Sequence, residues 1–300
     1  MRIDLHTHSR RSDGTDSPAE LVAAAIAADL DVVALTDHDT AEGWDEANAA
    51  AEGTALVLLT GIEISCRYEG AGVHLLAYGP DPAYPPLMRE LDRVLEGRNA
   101  RLPATLERLR GLGITITADD VREVAGDAAA TGRPHVADAL IRLGVVTNRD
   151  EAFDRFLMPG RPAYVDRYAA DLVVTIDLVG AAGGVSVVAH PWSRASRSVL
   201  DADSFQQLRS QGLSGLEADH QDHRQADRSA LRAIAADTGL LHTGSSDYHG
   251  TGKVDHDLGI NTTDPEQLGG LLEALDESAA AARRCGVDPP ATPDVPGLAR

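Results

Sequence analysis

Histidine and carboxylate residues recur along this 300-residue chain at the ends of apolar runs. The first run, Met1-Arg-Ile-Asp-Leu-His6-Thr-His8-Ser, reads as a short strand through Ile3 and Leu5. Side chains on a strand alternate faces, so His6 and His8 point the same way and can converge on one ion. Asp13, on the loop that follows, can reach a neighbouring ion. Asp31–Leu35 is a buried-type strand ending in Thr36-Asp-His38-Asp39, Leu56–Ile64 delivers Glu63, and Val73–Tyr78 carries His74. Later, Gly184–Ala189 leads into His190-Pro-Trp, and Leu240–Thr243 into Gly-Ser-Ser-Asp247-Tyr-His249. Imidazole with carboxylate suits Zn, Mn or Fe. A lone His-x-His is as readily a pair of exposed polar residues. A catalytic zinc takes about three protein ligands, so this many candidates predict two or three ions.

The elements that must position these residues alternate. Ser17-Pro18-Ala19-Glu20 is a capping box with proline at the first helical position, and it opens a helix to about Ala28. A second helix, from Glu42 to Ala51, stops at Gly53. Strand and helix in tight succession predict parallel pairing with helices outside, and ligands then bind at the C-terminal edge of the strands. From 86 to 164 helical periodicity replaces this pattern, which predicts a helical insertion or cap, closed by Pro159-Gly-Arg-Pro162. Alternation resumes with a helix over Asp171–Ala181. The expected organisation is an α/β barrel from 1–85 and 165–285, the inserted cap, and a Pro-rich tail over 286–300 expected to be disordered.

Composition narrows the function. The net charge of −20 leaves no clustered Lys/Arg face for a large nucleic-acid groove or an anionic membrane surface. An anionic substrate is still compatible, because bound divalent ions can dominate the charge of a site. No apolar run approaches a membrane span, no signal peptide is expected from the charged opening residues, and the two cysteines, Cys66 and Cys285, fit a reducing, cytoplasmic setting.

Taken together, His6-Thr-His8-Ser with Asp13, Thr36-Asp-His38, Gly61-Ile-Glu63, His74, Ala189-His190-Pro and Ser246-Asp247-Tyr-His249-Gly resemble the motifs of the PHP (polymerase and histidinol phosphatase) family. The insertion and Gly132-Arg133-Pro134-His135 further resemble its stand-alone phosphoesterases acting on nucleotides and short RNA. The resemblance implies a distorted (β/α)7, TIM-like barrel with a trinuclear centre, manganese being favoured over iron or zinc. On this sequence it implies one ion on His6, His8, Glu63 and Asp247. A second would lie on Asp13, His38 and His249, and a third on Glu63, His74 and His190. The implied chemistry is in-line attack by a metal-held hydroxide without a covalent enzyme intermediate. Substrates would be 3',5'-nucleoside bisphosphates losing the 3'-phosphate, or short 5'-phosphorylated RNA trimmed from its 5' end.

Arg133 and His135 are the candidates for gripping a phosphate from the cap, Arg133 through its planar fork. Lys253 and His223 are weaker candidates for substrate contact, and His220 for an outer position or proton donor. Arg10 and Arg11 fit a solvated loop, His242 and Cys66 fit the core, and His256 has no assigned place. Four other readings fit less well. An amidohydrolase needs a bridging lysine from a mid-barrel strand, and Lys253 comes too late. A haloacid-dehalogenase phosphatase needs Thr or Val where Ala41 stands. A non-catalytic accessory domain would be expected to have lost ligands. A histidinol-phosphate-type phosphatase would not be expected to carry the cap.

Overall fold

The structure, a computed structural model, describes residues 1–298. Strands β1 (Ile3–Thr7), β2 (Val32–Leu35) and β3 (Val57–Tyr68) are separated by helices α1 (Pro18–Ala27) and α2 (Trp44–Ala51) and pair in parallel. The Ser17 hydroxyl caps α1 at Glu20 N while the Glu20 carboxylate accepts from Ser17 N, which is the capping box read from the sequence. Strand β4 (Ala71–Tyr78) departs from the expected parallel pattern. Glu69 and Gly70, both at positive φ, form a two-residue turn, and β4 returns antiparallel along the whole of β3. No helix separates these two strands, so the (β/α) alternation is broken once, and this is the distortion in the barrel.

After α3 (Pro85–Gly111), α4 (Ala118–Ala125), α5 (Arg133–Arg142), α6 (Arg149–Ala152) with the π-helical turn Phe153–Leu157, and the short β5 (Ala170–Asp171) on β3, the alternation resumes. It runs α7 (Leu172–Ala181), β6 (Val185–Ala189), α8 (Ala202–Ser210), β7 (Gly215–Asp219), α9 (Gln225–Thr238), β8 (Leu241–Gly244) and α10 (Pro265–Arg284). The strand order β1-β2-β3-β4-β6-β7-β8 gives a nearly closed seven-stranded barrel. Past the strand ends, the His8 amide donates to the Tyr248 carbonyl at 2.8 Å and brings the first and last strands together.

Burial follows the alternation. Leu59, Leu76, Tyr78, Val185 and Val187 fill the barrel interior from below, where Leu268, Leu271, Leu272 and Leu275 of α10 plug it. The opposite strand faces (Val33, Ile62, Leu75, Val188, Leu216) pack under the surrounding helices. The insertion has its own apolar cluster, including Leu106, Leu109, Val121, Leu140 and Phe156. Helix α3 is shared, since Leu87, Leu91 and Val94 at its start pack into the barrel cluster instead. The expected tail is also different from its sequence reading. Val295 is buried against the barrel-floor cluster and Leu298 packs beside it, because α10 leaves an apolar edge that the Pro-rich segment covers. Residues 299 and 300 lie outside the described residues.

Candidate metal centre

All nine candidate ligands meet at the upper end of the barrel. His6 and His8 reach it through a bulge. Between Asp4 and Thr7, β1 has one more residue than β2 has between its partners Val33 and Leu35. Strict alternation from the inward Ile3 would send His6 outward; the extra residue turns His6 and His8 inward together. Glu63 lies in the middle of β3, one alternation above Gly61. His74 stands near the start of β4, which meets the cluster because β4 runs antiparallel and its N-terminal end shares the edge where the parallel strands finish. His190 and Asp247 occupy the positive-φ region (29° and 53°), as does Asp39 (59°). Such backbone is held only by surrounding contacts and is concentrated at functional sites.

Glu63 is the hub. Its Oε2 lies 3.3 Å from His6 Nε2, 3.2 Å from His8 Nε2 and 2.9 Å from His38 Nδ1. Its Oε1 lies 2.7 Å from His74 Nδ1 and 3.0 Å from His190 Nε2. Asp247 Oδ1 stands 3.6 Å from His6 Nε2 and 3.3 Å from His8 Nε2. Asp13 faces His249 Nε2 at 3.3 Å and His38 Nε2 at 3.6 Å. Burial alone would push the Glu63 carboxyl up, but His38, His74 and His6 around it carry it well below the usual range. Burial pushes His74 down to about 3 and His249 to about 4, so these rings favour the neutral form that can donate a lone pair.

The donor set fits divalent cations. Ligand atoms around one ion at about 2.1 Å stand roughly 3 to 3.5 Å apart, which is the spacing here. His38 Nδ1 is buried and makes no properly angled hydrogen bond although Glu63 lies beside it. His6 and His8 present Nε2 atoms to each other at 3.0 Å. Possible ion-holding groups are His8, Asp13, His38 and His249; His6, His8 and Asp247; His6, Glu63 and His190; and His38, Glu63 and His74. A further group of His220, Asp247 and His256 is also close. There His220 Nδ1 accepts from Asp222 N at 3.1 Å, which leaves its proton on Nε2, directed at Asp247 Oδ2 at 3.2 Å. The Lys253 ammonium also sits on that oxygen. This side of Asp247 is therefore furnished with donors.

Other sequence candidates fall into place differently. His223, considered for substrate contact, is buried with both ring nitrogens spent on backbone, Ala218 O at 2.9 Å and Trp192 N at 3.3 Å. It braces the loops after β6 and β7. Arg10 and Arg11 pair with Asp127, Arg11 also with Glu46. Cys66 is buried and its thiol pushed up by burial, as packing requires. His242 is half-buried on β8, and His256 Nδ1 lies 2.7 Å from the Ser246 carbonyl. His135 is buried, with Nδ1 accepting from Gly132 N at 2.9 Å, and with Arg98 and Ala130 it walls a small cavity against Ser12, Asp13 and His38.

The structure adds residues that periodicity could not single out. Asp37 accepts from Ser9 N (2.8 Å) and the Ser9 and Ser12 hydroxyls (2.6 Å each), holding the loop that carries Asp13. Asp4 accepts from Ser246 N (3.0 Å) and Gly259 N (2.8 Å), and burial raises its carboxyl to about 6. Asp39 accepts from Ser65 N and Arg98 Nε, both at 2.6 Å. The available signal was an acid embedded in or beside an apolar strand. Backbone closeness matters equally: a Cβ at Gly14 would lie 2.8 Å from the His8 carbonyl carbon and 2.9 Å from that of Ser9. Gly14→Ala is expected to lose about 1–3 kcal/mol of stability and to bind less metal, read by thermal melting and by metal analysis of the same sample.

Four arginines gather beside the cavity: Arg98 and Arg101 on α3, Arg133 at the start of α5, and Arg167. Arg98 is buried and held by Asp39 and by the Ser65 hydroxyl at 2.8 Å. Arg101 is 7% exposed, and its guanidinium makes no hydrogen bond among the described residues. Burial, with Arg133, Arg167 and Arg98 close by, pushes its guanidinium down to about 8, and Arg167 goes down to about 9 for the same reasons. Arg133 donates to Leu157 O at 3.1 Å and faces the Phe153 and Tyr164 rings. Two buried and two half-buried cations with Asp39 as the carboxylate holding one of them suit an anion.

A distorted barrel with a dense His/Asp/Glu cluster at its strand ends defines a metal-dependent hydrolase. The PHP domain family matches residues 4–108. A 5'-3' exoribonuclease of Haemophilus influenzae is 34% identical over 248 residues, 83% of this chain and 90% of that protein. A 3',5'-nucleoside bisphosphate phosphatase of Chromobacterium violaceum is 33% identical over 257 residues, 86% of this chain and 90% of that protein. The solved structure of a protein described as a metal-dependent phosphoesterase, from Bifidobacterium adolescentis, has a TM-score of 0.86 at 36% identity, covering 91% of this chain and 96% of that one. The chain belongs to the PHP family and is a hydrolase acting on phosphate esters.

Proposed function

We propose that the protein removes the 3'-phosphate from nucleoside 3',5'-bisphosphates and, by the same chemistry, trims short 5'-phosphorylated RNA from its 5' end. The observation that carries this reading is the arginine group beside the metal cluster, two of its members buried, with the Arg101 guanidinium making no hydrogen bond among the described residues. A 5'-phosphate on Arg101, Arg133 and Arg167 would direct the 3'-phosphoester toward Asp13 and His38, on the side of the cluster where Arg98 and His135 stand. His6, His8, Asp13, His38, Glu63, His74, His190, Asp247 and His249 would hold two or three divalent ions, with manganese favoured over iron or zinc. Divalent cations in such a site stabilise developing charge on phosphate oxygens and make water acidic enough to attack near neutral pH.

The chain's own residues do the rest. The arginines bind and orient, Asp37 and Asp39 fix the loops carrying Asp13 and His38, and the cap helices close the cavity against bulk water. The net charge of −20 favours short substrates, since a long duplex would meet an acidic surface. No helix among the described residues is long and apolar enough to cross a membrane, and the free thiols of Cys66 and Cys285 fit a cytoplasmic location.

The test is product analysis with manganese-loaded protein and adenosine 3',5'-bisphosphate, alongside Asp247→Asn. The expected products are AMP and inorganic phosphate, from the unaltered protein alone. Cleavage of a simple aryl phosphate with the bisphosphate left intact would overturn the 5'-phosphate anchor.

A further inference from the structure

Glu217 lies in the middle of β7, is 0% exposed, and is absent from every candidate ion-holding group. No lysine or arginine pairs with it among the described residues. Its partners are three donors from three different segments. Oε1 lies 3.3 Å from His6 Nδ1 on β1 and takes the Ser245 hydroxyl just past β8, while Oε2 takes the His190 backbone N–H at 2.8 Å just past β6. Because β7 sits between β6 and β8, one carboxylate ties the ends of both neighbouring strands to β1 across the barrel.

Each contact has a consequence for the metal centre. An acceptor facing His6 Nδ1 keeps the proton there, so the Nε2 lone pair is free and directed at Glu63 and Asp247. His6 belongs to two of the candidate groups, with Glu63 and His190 and with His8 and Asp247. The His190 amide is gripped at the residue whose φ is 29°, a backbone state that needs outside support and that brings its Nε2 within 3.0 Å of Glu63. We propose that Glu217 is the positioning residue of the metal centre: it sets the ring of His6 and the backbone of His190 so that ions sharing these ligands bind together. The inference rests on the metal reading of the cluster and is independent of the substrate.

Glu217→Gln tests it. Glutamine has the same shape, but it replaces one acceptor by an NH2 group where only donors converge. If that group faces His6, the ring must move its proton to Nε2 and lose its ligand atom; if it faces His190, the strained amide is pushed away. Bound metal, measured on the full chain against a competing chelator, should weaken by about 10–100-fold. Hydrolysis of an aryl phosphate should fall in kcat at limiting manganese and recover at high manganese, with KM unchanged. In parallel, long-range 1H–15N spectra of the zinc-loaded unaltered protein should show the His6 proton on Nδ1, a readout that survives even if the variant folds poorly. Unchanged ion number and affinity in Glu217→Gln, or a His6 proton on Nε2, would overturn the proposal. If the unaltered protein leaves the bisphosphate intact while metal binding and aryl phosphate hydrolysis change in the variant as expected, the substrate reading falls and this one stands.

Discussion

Glu63→Gln is expected to lower kcat by about three orders of magnitude and to reduce bound metal, with the barrel still folded. The carboxylate touches five histidines, His6, His8, His38, His74 and His190, at distances from 2.7 to 3.3 Å. Both oxygens are engaged, each on a different side of the cluster. Glutamine keeps the volume but removes the charge and one acceptor, so ions on the two sides lose their shared ligand. Transition-state stabilisation by such ions amounts to several kcal/mol, and at about 1.4 kcal/mol per decade that is roughly 10³-fold. The folded state should tolerate the change, because removing one buried charge from a ring of histidines is no worse than leaving the metal-free cluster as it is. Circular dichroism checks folding, and metal analysis with steady-state kinetics checks the rest. A variant with full metal content and near-normal kcat would remove Glu63 from the centre of the mechanism.

The second large effect concerns Arg101, where stability and activity should move in opposite directions. Its guanidinium is buried, without a hydrogen bond among the described residues, and surrounded by Arg98, Arg133 and Arg167. A buried charge without a partner destabilises the unliganded protein, and an apolar side chain of similar length is often better tolerated by about 1–4 kcal/mol. Arg101→Met should therefore raise the thermal midpoint of the substrate-free protein. The same substitution removes a charge-assisted contact of about 1.5–3 kcal/mol, so kcat/KM for a 5'-phosphorylated substrate should fall by about 10–100-fold, mainly through KM. An aryl phosphate without that second phosphate should be hydrolysed at an unchanged rate. Equal losses on both substrates would place Arg101 in the support of the cap and remove it from the anchor. A lower thermal midpoint would mean the guanidinium is already satisfied without substrate.

Much of the site is legible in the chain because the barrel converts linear order into geometry. Each parallel strand ends at the same edge, so His8, His38, His190 and Asp247, each following an apolar run, had to arrive together once the runs were read as strands. His74 reaches the cluster by a different route from the other ligands. In the sequence it stands with the strand-end residues, whereas it lies near the start of an antiparallel strand; the turn at Glu69-Gly70 reverses the direction and returns it to the shared edge. The β1 bulge was equally hidden, since one extra residue shows only against the partner strand. Arg98 and Arg101 look like two polar positions on a long amphipathic helix. They become a cationic pocket only because α5 and the segment around Arg167 close over α3. The Pro-rich terminus carries a disorder-like composition, yet Val295 finds the apolar edge beside α10 that no local signal announces.

By itself the amino-acid sequence determined most of the strand–helix alternation, the helical stretch after β4 and the nine metal-binding candidates, because residue type and period act locally and the parallel strands deliver their ends to one face. Tertiary structure decided which atoms meet. The bulge in β1, the carboxylate of Glu217 bonded across three strands and the Arg101 guanidinium without a hydrogen bond among the described residues all depend on contacts between segments far apart in the chain, whose energies no local pattern encodes.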